Sequence, residues 1–258
     1  MLSLQPDFEI YHKALYSRLL HMDNLKKTYD FLGGEVLLFD KDLQWTSFDL
    51  VQRVRNTLCR KMGIKKMKVG HAGTLDPLAT GLMILCTGKS TKLIESFQDK
   101  EKEYLATIKL GATTPSFDRE TEEDSTGNYD HITSENFEKA LQKFKGETNQ
   151  VPPIFSAVKV KGKRAFDYAR NGEEVKLQPR KVVITEIETK SFDLPYIKIR
   201  VTCSKGTYIR ALARDIGEVL NCGAYLTELR RTRIGEYEVD DAMNIQFFLE
   251  NLDSFVTN

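Results

Sequence analysis

Val69-Gly70-His71-Ala72-Gly73-Thr74-Leu75-Asp76-Pro77-Leu78-Ala79-Thr80-Gly81-Leu82-Met83-Ile84-Leu85-Cys86 is the stretch on which the reading of this chain turns. Gly70, Gly73 and Gly81 open backbone angles closed to other residues, and Pro77 fixes the torsion just after the only acid in the stretch. Asp76 therefore sits on a rigidly aimed loop. Leu82 to Cys86 is a short apolar run that reads as a buried strand, seating the loop at the edge of a core, where chemistry tends to be placed. The following Gly88-Lys89-Ser90 imitates the end of a phosphate-binding loop, but that pattern demands glycine where Met83 stands, which argues against a nucleotide triphosphatase.

Upstream, Glu35 to Phe39 reads as a strand and Asp40 to Gln44 as a turn. Thr46 is placed to cap a helix, with Asp49 in the capping-box position and Phe48, Val51, Val54 and Leu58 as the apolar stripe. Residues 1 to 30 read as an N-terminal extension with a short helix around Tyr11 to Leu20. Downstream, Ser90 to Phe97 reads as a short helix. Glu103 to Leu110 alternates, with Tyr104, Ala106, Ile108 and Leu110 on one face, as a half-buried strand does. Gly111 to Tyr129 reads as a solvated loop, and Ser134 as the cap of a surface helix with Phe137, Ala140, Leu141 and Phe144 inward. Val182 to Ile187 and Ile197 to Cys203 are further strands. Gly206 breaks the second, Thr207 caps a helix through Ile209, Ala213, Ile216 and Leu220, Gly223 to Gly235 is a strand carrying three arginines, and a helix with Phe247 and Phe248 closes the chain.

At 258 residues with 41% hydrophobic and 29% charged residues, the composition is that of an ordinary globular protein, and no run of about eighteen apolar residues is present to span a membrane. No secretory signal is visible, and four scattered cysteines lack zinc-type spacing, so reduced thiols in a cytoplasm are expected. Net charge is only +1, but its distribution is uneven. Between Val51 and Leu75 there is no acid, while Arg53, Arg55, Arg60, Lys61, Lys65, Lys66 and Lys68 are basic, and acids collect at Glu120, Glu122, Glu123 and Asp124. A one-sided basic face suits a phosphate backbone. From Gln150 to Arg170, two prolines extend the chain, and Lys159, Lys161, Lys163 and Arg164 interleave with Phe155, Phe166 and Tyr168, the composition of a projecting nucleic-acid clamp.

The opening stretch closely resembles the active-site motif of the TruB family of pseudouridine synthases, G-H-x-G-T-L-D-P-x-A-x-G-x-L. Lys41-Asp42-Leu43-Gln44-Trp45-Thr46-Ser47 resembles the family's K-P-x-G-x-T-S, keeping Lys, Thr and Ser but replacing Pro and Gly, which predicts a looser turn. Lys102-Glu103-Tyr104, Cys203-Ser204-Lys205-Gly206-Thr207-Tyr208-Ile209-Arg210 and Gly223 to Gly235 match further family segments, and Asp118 aligns loosely with a T-x-T-x-D segment. The resemblance covers about residues 33 to 245. It implies a pseudouridine synthase fold of the α/β (α+β) class, a mixed, mostly antiparallel central sheet flanked by helices and RNA-gripping loops. A single catalytic domain over 31–258 is expected, without the RNA-binding PUA domain that many relatives carry.

By the same resemblance, Asp76 is the catalytic residue and Arg210 its counter-ion. Tyr104 stacks on the target base, His71 enters the space it vacates, Tyr208 and Leu229 line the base pocket, and Thr74 and Leu75 complete the loop around it. Lys159, Lys161, Lys163, Arg164, Arg53, Arg60, Lys65, Lys66, Arg230 and Arg231 are expected on the RNA backbone. The implied substrate is the uridine at position 55 in the T arm of tRNA, turned over by a monomeric cytoplasmic enzyme with no membrane partner. The isomerisation breaks an N-glycosidic bond and rejoins the uracil through carbon 5 without redox change, so no cofactor or metal is expected. Asp76 has three routes open to it: attack on the anomeric carbon, addition to carbon 6, or removal of the 2-prime proton. Two other classes stand beside this one. A non-catalytic RNA-binding or RNA-folding protein would use the same basic face, and a glycosidic-bond hydrolase would need a second carboxylate that the sequence near Asp76 does not offer.

Overall fold

Strand β1 (Val36–Lys41) alternates half-buried and buried residues, and Leu37 and Phe39 point inward at no more than 1% exposure. The computed structural model in which this is seen describes residues 28–256 apart from 157, 161, 172 and 174. The expected helix near Tyr11 to Leu20, most of the N-terminal extension and the clamp residue Lys161 lie outside the described residues. Helix α1 (Ser47–Lys61) begins as the sequence predicts, with Thr46 as N-cap and a complete capping box with Asp49. Its buried stripe differs. Ser47, Leu50, Val51, Val54 and Leu58 face inward, while Phe48 is 59% exposed, because it stands a hundred degrees past Ser47 at the edge of that face. Strand β2 (Val69–His71) and β1 both pair antiparallel with β3 (Ala79–Thr87). Residues Gly81 to Thr87 of β3 are buried on both sides, which is why its sequence is a continuous apolar run rather than an alternation. A 3-10 turn (Gly88–Leu93) and helix α2 (Ile94–Asp99) divide between them what the sequence reads as one helix.

The chain forms two compact units, the first built from residues up to 98 together with 232 onward, the second from 99 to 231. The second opens with β4 (Lys102–Leu110), whose Lys102, Tyr104, Ala106, Ile108 and Leu110 are buried in strict alternation. After the small ribbon of β5 (Ala112–Thr113) and β6 (Ser125–Thr126) comes α3 (Ser134–Gln142), capped by Thr133 with Asn136 rather than by Ser134. Strand β7 (Gly146–Gln150) follows, then a hairpin of β8 (Lys159–Val160) and β9 (Lys163–Arg164), and α4 (Ala165–Arg170). Two long strands, β10 (Arg180–Asp193) and β11 (Tyr196–Cys203), helix α5 (Ile209–Val219) and β12 (Ala224–Ile234) complete it. The strand order here is β12, β4, β11, β10, β7, and the registers of β4 with β11, β11 with β10, and β10 with β7 are antiparallel. Arg200 on β11 ties three of these strands together on the solvent side, pairing with Glu103 of β4 and with Glu186 and Glu188 of β10.

One expectation is overturned in this unit. Residues 111–129 are not a solvated loop throughout, since Thr114, Ser116 and Asp118 are buried at 0 to 4% exposure. Their own hydroxyls make this affordable. Thr114 Oγ1 donates to the Asp118 carbonyl at 2.7 Å, and Ser116 Oγ donates to the same oxygen at 3.2 Å. Polar composition signalled solvent where the loop is self-satisfied.

The last residues of β12 return the chain to the first unit, where β13 (Tyr237–Glu238) pairs back on β12 and α6 (Ile245–Glu250) and α7 (Leu252–Phe255) close it. The core of this unit joins Ala72, Leu82, Ile84, Cys86 and Phe97 to Ile234, Val239 and Ala242. Phe39 meets Phe248 edge-on with ring centroids 5.5 Å apart, and Phe248 continues to Phe255 at 6.1 Å. The loop bearing Asp76 is therefore carried by a strand with packed side chains on both faces.

Candidate active site

Within the first unit the Asp76 loop is held on both sides of the acid by one preceding segment. On the N-terminal side, Ser47 at the start of α1 is 3% exposed. Its Oγ accepts from Leu75 N at 2.8 Å and donates to Leu75 O at 3.0 Å. On the C-terminal side, Gln44 N donates to Pro77 O at 2.8 Å. Lys41, only 1% exposed, donates through Nζ to Asp42 O (2.9 Å), Trp45 O (2.6 Å) and Pro77 O (3.5 Å). A turn closes behind the acid as Ala79 N donates to Asp76 O at 3.0 Å. The carboxylate itself is half-buried, Leu75 is buried and Thr74 exposed. The backbone flanking Asp76 thus has little freedom.

The retained Lys and Ser of the upstream motif supply this clamp directly, while the retained Thr46 caps the helix that carries Ser47. Lys41 is not a solvent lysine; its ammonium supplies hydrogen bonds to a knot of carbonyl oxygens. Replacing it with alanine is expected to cost about 2–4 kcal/mol of unfolding free energy, measurable by denaturant titration, because charge-assisted bonds to several carbonyls are lost together. Gln44, standing where the family has glycine, adopts φ +67°. The turn is not loosened by the exchange; it keeps the glycine conformation at the expense of local strain. Gln44→Gly is expected to stabilise the protein by about 0.5–1 kcal/mol, the strain relieved less the extra entropy of an unfolded glycine, with the shift in denaturation midpoint as the readout. His71 ends β2 opposite Leu85 and is half-exposed.

The second unit gathers the other site residues that the sequence picks out. Tyr104 lies on β4 opposite Val201 and is 9% exposed. Arg210, in the first turn of α5, is 3% exposed. Its Nη1 donates to Ser116 O at 3.1 Å and its Nη2 to Phe155 O at 3.0 Å, and Nε lies 3.5 Å from Asp118 Oδ2. Asp118 is also tied down, since its Oδ1 accepts from Glu120 N at 2.9 Å. Tyr208 is the N-cap residue of α5, in place of the expected Thr207. The amide of Gln150 grips the Tyr208 backbone on both sides, accepting from its N at 2.8 Å and donating to its O at 3.1 Å. Leu229 and Arg230 are half-buried on β12.

Two groups here escape sequence reading or are misplaced by it. Lys102, two residues before Tyr104 and on the same buried face, is held at about 8 by loss of solvation first and by the nearby Arg231 guanidinium second. Its only sequence signal is the alternation that makes position 102 an inward one. Arg231 belongs with it rather than with the RNA backbone, because at 1% exposure it has no surface to lay along a phosphate chain.

Other cations lie at the surface. Arg53, Arg60, Lys65 and Lys66 are exposed on and beyond α1. Lys159, Lys163 and Arg164 are exposed on the β8–β9 hairpin, with Gly162 at φ +87° at its turn. Each of two cations sits over a ring of the following helix, Lys163 on Tyr168 and Arg164 on Phe166, both 5.7 Å from the centroid. The hairpin leans on a small core of Val158, Ala165 and Leu177, against which Tyr208 packs, so the arm and Tyr208 are mechanically joined. Among the described residues, no cluster of three or more His, Cys, Asp or Glu is placed to hold a metal, and no helix is long and apolar enough to cross a membrane.

Residues 60–209 match the family model described as TruB family pseudouridylate synthase (N terminal domain), and residues 210–254 match that of the tRNA pseudouridylate synthase B C-terminal domain. The chain belongs to the TruB family. A relative in Phocaeicola vulgatus, named tRNA pseudouridine synthase B, is 61% identical over 87% of this chain and 95% of its own length. One of the same name in Flavobacterium johnsoniae is 50% identical over 86% of this chain and 98% of its own. Among solved structures, a chain of a Cbf5–Nop10–Gar1 complex superposes with a TM-score of 0.65 at 26% identity, over 85% of this chain and 54% of that one. The TruB family assignment and the mixed, mostly antiparallel sheet with flanking helices agree with each other. The boundary between the two family matches falls at the start of α5, between Ile209 and Arg210.

Proposed function

We propose that this chain isomerises uridine to pseudouridine at position 55 in the T arm of tRNA, with Asp76 as the catalytic carboxylate. The observation that carries this is the clamp on Asp76. A half-buried acid whose neighbours on both sides are pinned by Ser47, Gln44 and Lys41 is suited to reaction at a fixed point in space. The substrate follows from likeness along nearly the whole length to proteins named tRNA pseudouridine synthase B.

In this reading the target nucleotide leaves its stack at a cost of a few kcal/mol, and Tyr104 recovers about 1–3 kcal/mol by stacking on the uracil. Leu229 and Tyr208 wall the base, Thr74 and Leu75 flank it on the loop, and His71 takes the place it vacates. Arg210 serves as the counter-ion of Asp76, a task suited to a planar guanidinium, and its two Nη groups are already steadied by Ser116 O and Phe155 O. Bond breaking at the anomeric carbon and rejoining through carbon 5 is redox-neutral, so this chain's own side chains suffice. The exposed cations of α1 and the hairpin, with Arg230, hold the backbone. The enzyme works as a monomer in the cytoplasm. An isolated T-arm stem-loop should be converted at its single target uridine and an anticodon stem-loop should not. Equal conversion of both would overturn the T-arm assignment.

A further inference from the structure

The sequence segment set aside as a false phosphate-binding loop lines a cleft at the end of β3 remote from Asp76. Leu32, Lys66, Met67, Lys68, Gly88, Lys89, Thr91 and Lys92 enclose about 310 Å³, within the size range of small-ligand sites. Three separate pieces of chain meet there and are bonded to one another. Gly88 N donates to Lys68 O at 2.9 Å, Lys89 N donates to Gly33 O at 3.3 Å, and Thr91 Oγ1 donates to Gly88 O at 2.8 Å. Two glycines make the approach possible. A Cβ on Gly88, at φ +48°, would lie 2.3 Å from Leu32 O, and one on Gly34, at φ +126°, would lie 2.5 Å from Ser90 N. The cleft is built, not a gap between mobile side chains.

Its charge is one-sided. Lys66, Lys68, Lys89 and Lys92 bring four ammonium groups to one opening, and among the described residues none of the four is in an ion pair. The carboxylates of the adjoining loop are turned to backbone donors instead, Asp30 Oδ1 accepting from Gly33 N at 2.7 Å and Glu35 Oε1 from Asp30 N at 2.8 Å. Four exposed ammonium groups at one opening make a positive field suited to a polyanion. The apolar Leu32, 51% exposed at the rim, adds a surface for the sugar edge.

We infer that this cleft binds backbone phosphates of the substrate RNA in the stem away from the target uridine. The inference rests on the RNA-modifying function proposed above. Placement sets the reach: the cleft gathers at the Thr87 end of the nine-residue β3 and Asp76 lies just before its Ala79 end, a separation of about 25 Å along the strand. A contact that far off cannot be made by the nucleotides of the loop being modified. It would act as a ruler, engaging only when the duplex leading to the loop is long enough.

The test is the double variant Lys89→Gln/Lys92→Gln against a series of stem-loops that share one loop and differ in stem length. Wild-type affinity is expected to step up once the stem reaches the cleft. The variant should lack that step, binding the longest RNA about tenfold more weakly, with the slope of log K against log salt smaller by about 1.4–1.8. The loss should appear in KM and not in kcat. A variant that keeps both the step and the salt slope overturns the inference, as does a wild type with no step. Pseudouridine formation by the wild type on the same RNAs reports separately on the underlying function, so the two failures are distinguishable.

Discussion

Asp76→Asn is expected to reduce pseudouridine formation by at least about four orders of magnitude while changing tRNA affinity by no more than about threefold. The amide is nearly isosteric and is presented by the same clamped backbone, so the loop should keep its shape. What it loses is the negative charge and nucleophilicity that every available route requires. Attack on the anomeric carbon, addition to carbon 6 and removal of the 2-prime proton all fail alike without a carboxylate. Single-turnover conversion of a labelled T-arm stem-loop, with filter binding on the same preparation, separates chemistry from binding. Loss of binding together with turnover would mean that Asp76 holds the loop rather than performing the reaction.

Substitution of Arg210 should be nearly as damaging, for two separable reasons. The guanidinium is fixed by Ser116 O and Phe155 O and faces the buried carboxylate of Asp118. Arg210→Ala leaves that carboxylate, 4% exposed, without its cation and should cost about 3–5 kcal/mol of stability. Arg210→Lys keeps the charge but not the planar fork, so it cannot serve the same directions at once. Its kcat should fall by about 10²–10³ while KM changes little. Asp118→Asn provides the contrast. It weakens the local pair alone, so it should lower stability with little change in kcat. An unchanged kcat in Arg210→Lys would confine Arg210 to a structural task.

The parts of the molecule legible in the sequence are those in which local pattern and tertiary demand coincide. The run Leu82 to Cys86 reads as buried because β3 is covered on both faces, and β4 declares itself by strict alternation. The capping box at Thr46 and Asp49 is a purely local device, and it forms as written. Lys41 shows the limit. A lysine in a polar turn carries no sign that carbonyls of Asp42, Trp45 and Pro77 will converge on it, since one of them is 36 residues away. The same holds for Ser116 and Asp118, whose burial depends on hydroxyls folding back within one loop and on an arginine from α5. Arg231 is one of three arginines on a segment that reads as a basic strand, yet it is 1% exposed and lies beside Lys102. Counting charges along a strand says how many there are; only the packing around it says which of them meet solvent.

The central claim is most directly tested by treating an unmodified tRNA transcript with the purified protein and mapping pseudouridine nucleotide by nucleotide through chemical labelling. The account predicts stoichiometric conversion at uridine 55, without change in mass, by the wild type and none by Asp76→Asn. Conversion elsewhere with position 55 untouched, or conversion undiminished in Asp76→Asn, would contradict it.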